Sequence, residues 1–326
     1  MNWWRRKRAK EPEIPPEGRL VADGVWEKIL PALWDLRAHY YERGSSDGEA
    51  IVFVHGYQSD ARIWWPVLTR LPDQVRAIAL DLPGHGKSGK PFTTYTIPFY
   101  GRFLAHFLAR LQGGSPATLV GVSLGGAIVA HTALLVPERV NRLVIVDGLG
   151  MGRTPPWRQV RLFSHFLPLV IHQAMGKPSR YETYRFWQEV LFADPSRVTE
   201  PMISEALEAQ RQSRLASFLT GLALSLPSAH LYPQLHRLRP PTLLIWGVND
   251  RLFPPHHGEE AAGRIPAARL TVIPRAGHLP MLEQPEAFLA VLNEFLHQTA
   301  PASIRTGLAP DPGRGPGRGA GEGRPA

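Results

Sequence analysis

The stretch "LVGVSLGGAIVAH", residues 119–131, runs from an apolar strand pattern straight into an apolar helix pattern, with Ser123 at the junction. The strand side, "ATLVGV", asks for continuous packing, and "GGAIVAHTALL" reads as a buried helix, so the chain must turn within about two residues. Gly121, Gly125 and Gly126 crowd that turn. Glycines on both sides of a serine fit a bend too tight for side chains, which pushes Ser123 outward.

Outward from this point the same rhythm repeats. "LRAHYYERG", "AIVFVHG", "VRAIALDLPG", "ATLVGVS", "RLVIVDG", "PTLLIWG" and "ARLTVIP" read as strands, several of them continuous apolar runs closed by Gly or Asp. Such runs suit a sheet covered on both faces. Between them lie helical patterns: "PFYGRFLAHFLARL", "LGGAIVAHTALL" and the closing "PEAFLAVLNEFLHQ", whose Phe288, Val291, Leu292, Phe295 and Leu296 recur at helical spacing with Pro285 in the first turn. This alternation predicts an α/β fold with a doubly wound, mostly parallel sheet. Residues 150–236 break it. They hold only helical stretches rich in Trp, Phe, Leu and Arg, and read as an all-helical cap inserted between two core segments, 21–149 and 237–298. An insertion there lands at the carboxyl edge of the sheet, where open α/β folds bind ligands.

The 326 residues are 44% hydrophobic and 20% charged, ordinary values for a globular protein. There is no cysteine, which excludes disulfides and thiolate chemistry. Of the formal charge of +9, five units come from Arg5, Arg6, Lys7, Arg8 and Lys10. Two more come from the C-terminal end, where Arg305, Arg314, Arg318 and Arg324 outnumber Asp311 and Glu322. The body is therefore nearly neutral, which argues against nucleic-acid binding. Residues 1–20 are expected to be a flexible basic segment capable of at most weak peripheral contact with a membrane, and the Pro/Gly-rich residues 299–326 to be disordered. No apolar segment follows the basic start as a secretory signal would, and no apolar run is long enough to span a bilayer, so a cytoplasmic location is expected.

In Gly121-Val122-Ser123-Leu124-Gly125, a strand before and a helix after give G-x-S-x-G the context of a nucleophile turn. A serine hydroxyl needs a base. Among the 13 histidines, His278 follows the last strand and precedes the last helix. His131 is better explained as a packed helix residue, and His256 and His257 as solvated residues of a Pro-rich loop. The acid that orients the base is Asp250, three residues past an apolar strand, in preference to Asp147 at the end of the preceding one. Asp81 reads as a turn organiser and His55 as a loop brace. Two oxyanion donors are expected, the backbone N–H groups of Leu124 and Tyr57. No paired-histidine zinc motif is present.

These residues lie in motifs that resemble the α/β-hydrolase fold superfamily, in its serine esterase, lipase and C–C hydrolase group: "HGYQSD" (55–60), "DLPGHGKS" (81–88), "GVSLGG" (121–126), "WGVNDRLFP" (246–254) and "AGHLPMLEQP" (276–285). The resemblance spans about 40 to 297. It implies a Ser123–Asp250–His278 triad under a helical cap, with no cofactor and no metal. Serine at 123 disfavours the dehalogenases and epoxide hydrolases, which carry Asp there. Meta-cleavage hydrolases usually show a more glycine-rich oxyanion loop than "HGYQSD". The expectation is therefore a carboxylic-ester hydrolase for a small to medium apolar substrate. Trp157, Phe163, Phe166, Phe186, Trp187, Phe192 and Phe218 either line a greasy pocket or hold the cap to the sheet. The alternatives are a C–C or amide hydrolase or perhydrolase with the same triad, or a hydrolase-fold sensor of a small molecule.

Overall fold

Nine strands form one sheet in the order β1-β2-β3-β5-β4-β6-β7-β8-β9. They are β1 (Arg19–Ala22), β2 (Val25–Pro31), β3 (Arg37–Arg43), β4 (Ala50–Val54), β5 (Arg76–Leu80), β6 (Ala117–Val122), β7 (Val140–Val146), β8 (Thr242–Gly247) and β9 (Ala268–Ile273). The computed structural model describes residues 14–22, 24–111, 115–155, 179–212 and 228–298. From β5 to β9 every neighbouring pair is parallel, while β1, β2, β3 and β5 pair antiparallel. Every residue of β4, β6 and β8 is buried. That is why these strands read as unbroken apolar runs.

Helices α1 (Trp65–Leu68), α2 (Ile97–Arg110), α3 (Leu124–Leu135), α4 (Arg180–Phe186), α5 (Glu200–Gln212), α6 (His256–Ala262), α7 (Pro280–Glu283) and α8 (Pro285–Gln298) complete the described elements. Helix α2 packs on α3, and α1 on α8. Fully buried Trp64 packs between Phe53 of β4 and Phe288 of α8, tilted against both, at ring distances of 5.1 and 6.2 Å. Among the described residues no helix is long and apolar enough to cross a membrane. Between β7 and β8 the described residues contain helices and turns and no strand. The parts of the expected cap at 156–178 and 213–227, and the termini 1–13 and 299–326, lie outside the described residues.

One expectation is corrected at the N-terminus. Arg19 and Leu20, assigned to a flexible segment, begin β1, which pairs with β2 through Arg19↔Glu27 and Leu20↔Trp26. β1 is an edge strand with three of four residues exposed, so it carries no apolar pattern. The available signal was the Asp-Gly dipeptide at 23–24 in the sequence, a pair that favours tight turns; Gly24 precedes β2 at φ 71.

The chain order makes the site. After β4 the sheet grows first to one side with β5 and then to the other with β6, so the carboxyl ends of β4 and β6 flank a reversal point where open α/β sheets leave a crevice. Ser123 sits between β6 and α3 at φ 56, ψ −117, a conformation that costs a non-glycine residue energy. Backbone bonds hold the turn from both sides: Ser123 N donates to Val146 O at 2.9 Å and Leu149 N to Ser123 O at 3.0 Å. The glycines are where backbone meets backbone. A Cβ at Gly121 would lie 2.3 Å from Gly125 O, and a Cβ at Gly125 would lie 2.3 Å from Val54 O.

A second device aligns the neighbouring loops. Buried His39 on β3 is bracketed by two acids, with Nδ1 2.8 Å from Asp81 Oδ2 and Nε2 2.9 Å from Glu27 Oε1. Asp81 also accepts Ala61 N at 2.7 Å and Lys87 N at 2.8 Å, which makes it the turn organiser expected of it. Burial works against the charge of His39, but the bonds to Asp81 and Glu27 outweigh it and raise the imidazole above its ordinary value. Glu27 and Asp81 are lowered correspondingly.

Gly125→Ala should therefore destabilise the fold by about 1–3 kcal/mol, because its Cβ meets backbone that cannot give. Chemical denaturation measures it, and an unchanged midpoint would mean that α3 does not press on β4. For His39 the sign follows from the raised value: its stabilisation is fully present below the unfolded-state pKa and is lost as pH rises through the folded-state pKa. The melting temperature of the wild type should fall across that alkaline window more steeply than that of His39→Gln, and parallel curves would refute the linkage.

Candidate active site

Ser123 and His278 line one cavity of about 60 Å³ at the carboxyl edge of the sheet. His278 arrives on the loop after β9. Its Nδ1 lies 2.8 Å from Asp250 Oδ2, and its Nε2 is buried with no hydrogen-bond partner among the described residues. Asp250 follows β8 and is 4% exposed. Its Oδ1 accepts Leu252 N at 2.8 Å and Phe253 N at 3.1 Å, which fixes the carboxylate. With a carboxylate on Nδ1, that nitrogen carries the proton and Nε2 is left as the acceptor of the ring. The structure thus brings Asp250 and His278 into contact and sets them on the same edge as the strained serine.

The loop after β4 runs beside the serine: a Cβ at Gly56 would lie 3.2 Å from Ser123 Cβ. His55 is fully buried, and burial lowers its basicity. Leu82 N donates to His55 Nε2 at 3.1 Å, so the proton sits on Nδ1, which donates to Gly56 O at 2.8 Å. In a trans peptide the carbonyl and the next N–H point in opposite directions, so this bond turns the Tyr57 N–H away from His55. The loop brace read from the sequence therefore also sets the direction of one expected oxyanion donor. The other, the Leu124 N–H, is at the first position of α3, where amide groups lack partners within the helix.

The remaining candidates fall elsewhere. His131 packs against Gly101 of α2, whose added Cβ would lie 2.5 Å from the imidazole Cδ2. His256 is exposed, but His257 is corrected from a solvated residue to a buried one at 4% exposure. The start of α6 turns it inward over Gly152, and burial lowers its pKa to about 4. Asp147 is fully buried and its Oδ1 accepts Gly247 N at 3.0 Å. Among the described residues Asp147, Asp250 and His278 form a group with metal-compatible spacing. Within it the Asp250 and His278 atoms already bond each other.

Sequence reasoning assigned no role to Glu283, which the structure gives one. This fully buried carboxylate accepts Gly277 N at 2.5 Å, Ala193 N at 2.8 Å and Asp194 N at 3.2 Å. Beside it, His278 N donates to Leu191 O at 2.7 Å. The loop bearing His278 and the 191–194 segment are thus clamped together. Burial raises the Glu283 carboxyl despite its three N–H donors. An acid inside the apolar run "HLPMLEQPEAF" was the signal available. Of the aromatic residues, Phe186 and Trp187 line the cavity. Phe192 is 1% exposed and stacks on Trp187 at 5.6 Å, so it holds the layer together. Trp157, Phe163, Phe166 and Phe218 lie outside the described residues. Among the described residues of the cavity wall there is no Lys, Arg, Asp or Glu. Gln58, Ser59, Ile63 and Trp187 also border a larger hollow of about 510 Å³ that runs along α5.

Comparison with known proteins adds the family. Residues 51–291 match the alpha/beta hydrolase family. The chain is 32% identical over 273 residues to a 2-hydroxy-6-oxononadienedioate/2-hydroxy-6-oxononatrienedioate hydrolase from Burkholderia vietnamiensis, covering 81% of this chain and 92% of that one. It is 30% identical over 264 residues, 79% of its length, to the dihydrolipoyllysine-residue acetyltransferase component of an acetoin cleaving system from Pseudomonas putida, and spans only 66% of that protein. Among solved structures, a membrane phospholipase A described as a bacterial virulence factor superposes with a TM-score of 0.74 at 26% identity, covering 86% of this chain and 88% of that one. With most of its length matched, and with the sheet order and the serine turn described above, the chain belongs to the alpha/beta hydrolase family.

Proposed function

We propose that this protein is a serine-dependent hydrolase that attacks a carbonyl carbon of a largely apolar substrate and breaks the C–C bond beside it. The observation that carries the hydrolase reading is the Asp250–His278 contact at 2.8 Å, with Nε2 facing the cavity that Ser123 lines. The choice of bond rests on kinship. The Burkholderia relative is named for a substrate with a ketone, a hydroxyl and two carboxylates but no ester or amide. Water can hydrolyse such a molecule only at carbon–carbon. This reading displaces the ester hydrolase expected from the sequence as first choice.

In this mechanism the Ser123 hydroxyl adds to the ketone carbon while His278 Nε2 takes its proton and Asp250 stabilises the imidazolium. The Leu124 and Tyr57 amides receive the oxyanion. The C–C bond then breaks with its electron pair leaving on carbon, which requires a second unsaturated carbonyl group in the substrate to hold the charge as an enolate. His278 returns the proton to that carbon. Water, activated by the same imidazole, releases the acyl group from Ser123. The larger hollow beyond Trp187 gives room for an extended substrate.

Ester hydrolysis by the same groups is the second reading, with an alkoxide in place of the enolate. It is favoured by the cavity wall, whose described residues offer no cation to a substrate carboxylate. Side-by-side kinetics on a 2-hydroxy-6-oxo-dienoate and on p-nitrophenyl acetate and butyrate rank the two: a higher kcat/KM for the dienoate is expected, and the reverse order makes the ester reading first. Ser123→Ala should lower turnover of either substrate about a thousandfold or more with the fold retained. Undiminished activity in that variant would remove both readings.

A further inference from the structure

Asp147 is placed where a second acid has no obvious use. It is fully buried, its backbone is held at φ 44, and Oδ1 accepts one N–H, from Gly247. Its Oδ2 is buried and has no hydrogen-bond partner among the described residues. Yet one oxygen of Asp147, one oxygen of Asp250 and one nitrogen of His278 all lie within 4.8 Å of one another. Two carboxylates so close, away from water, cannot both be ionised at neutral pH. Asp250 receives three donors: Leu252 N, Phe253 N and the His278 ring. Asp147 receives one. The shared proton therefore belongs to Asp147.

We propose that Asp147 is a positioning residue that stays protonated and donates that proton to Asp250, so that the two acids and the imidazole of His278 work as one unit with a single negative charge. This rests on the triad reading above. The neutral acid gives Asp250 a fourth donor, locks its orientation and draws electron density from the oxygens that face His278. The imidazole is then held in place without being fixed as a cation, and Nε2 remains available as a base. The charged groups acting on Asp147 are Asp250 and Glu283, both negative, with His278 in the same cluster. Burial and the charge of Asp250 push the Asp147 carboxyl well above its usual range, in the direction the geometry requires.

The sign of the pH effect follows. If Asp147 ionises as pH rises, its donated proton is lost and two neighbouring carboxylates repel each other, which loosens Asp250 and the imidazole it orients, so activity falls on the alkaline side. Asp147→Asn can keep both bonds, its oxygen accepting Gly247 N–H and its amide donating to Asp250, with no proton to lose. Asp147→Ala cannot. We expect Asp147→Ala to lower kcat about tenfold or more at little change in KM, in line with the loss of an orienting neighbour. Asp147→Asn should restore most of that loss and should lack the alkaline limb that Asp147 imposes on the wild-type kcat/KM profile. Equal losses in the two variants with an unaltered pH profile would overturn the proposal. Carboxyl carbon NMR on the inactive Ser123→Ala protein gives a test independent of turnover and of substrate. A neutral Asp147 resonance at neutral pH, absent from Ser123→Ala/Asp147→Ala, supports the proposal, and an ionised one refutes it whatever reaction the site performs.

Discussion

The molecule depends on a turn that leaves no room. Ser123 takes a left-handed backbone so that β6 can end and α3 can begin within one residue, and that is possible only because Gly121 and Gly125 let backbone touch backbone. The strain is held by the parallel sheet, whose β7 accepts the Ser123 amide at Val146. The crowding at Val54 also locates the loop after β4 beside the serine. A single local constraint thus fixes Ser123, the start of α3 and the approach of the loop carrying Tyr57.

Two histidines in this fold each meet two acids, and the difference in wiring separates scaffold from chemistry. His39 has a carboxylate on each ring nitrogen, at 2.8 and 2.9 Å, and is held as a buried cation that ties β2, β3 and the Asp81 loop together. His278 has a carboxylate on Nδ1 alone, and its buried Nε2 has no hydrogen-bond partner among the described residues. Its second acid, Asp147, stands behind the first. An imidazole saturated with acids has no capacity left to move a proton, whereas one with a single bonded face can take a proton and give it back.

Much of this was legible in the sequence for a physical reason. The fully buried central strands leave continuous apolar runs, and the serine turn can be made only with glycines, so both are written in residue types. The edge hairpin β1–β2 was missed because exposed strands carry no such pattern. His257 was misplaced because a Pro-rich loop hides the start of a short helix. Glu283 reaches Ala193 and Asp194, and Asp147 reaches Gly247, all far away in sequence, so these contacts are not written in spacing even where the acid itself, as with Asp147, was a candidate. The bond that is cleaved was least legible of all. Serine, histidine and aspartate are the same groups for an ester and for a ketone, so the triad motifs do not name the bond, and the proposal of C–C cleavage rests on kinship alone.

The clamp at Glu283 has a consequence for how such a protein can change. The 191–194 segment continues from the π-helical turn at Trp187–Leu191, so part of the cavity wall and the loop bearing His278 form one mechanical piece. Reshaping the wall from that side would drag the imidazole with it. The opposite wall, around Gln58 and Ile63, lies outside the Glu283 clamp, so new specificities can be explored there with less drag on His278. The fold divides its pocket into a side that moves only together with His278 and a side that can be rebuilt apart from it.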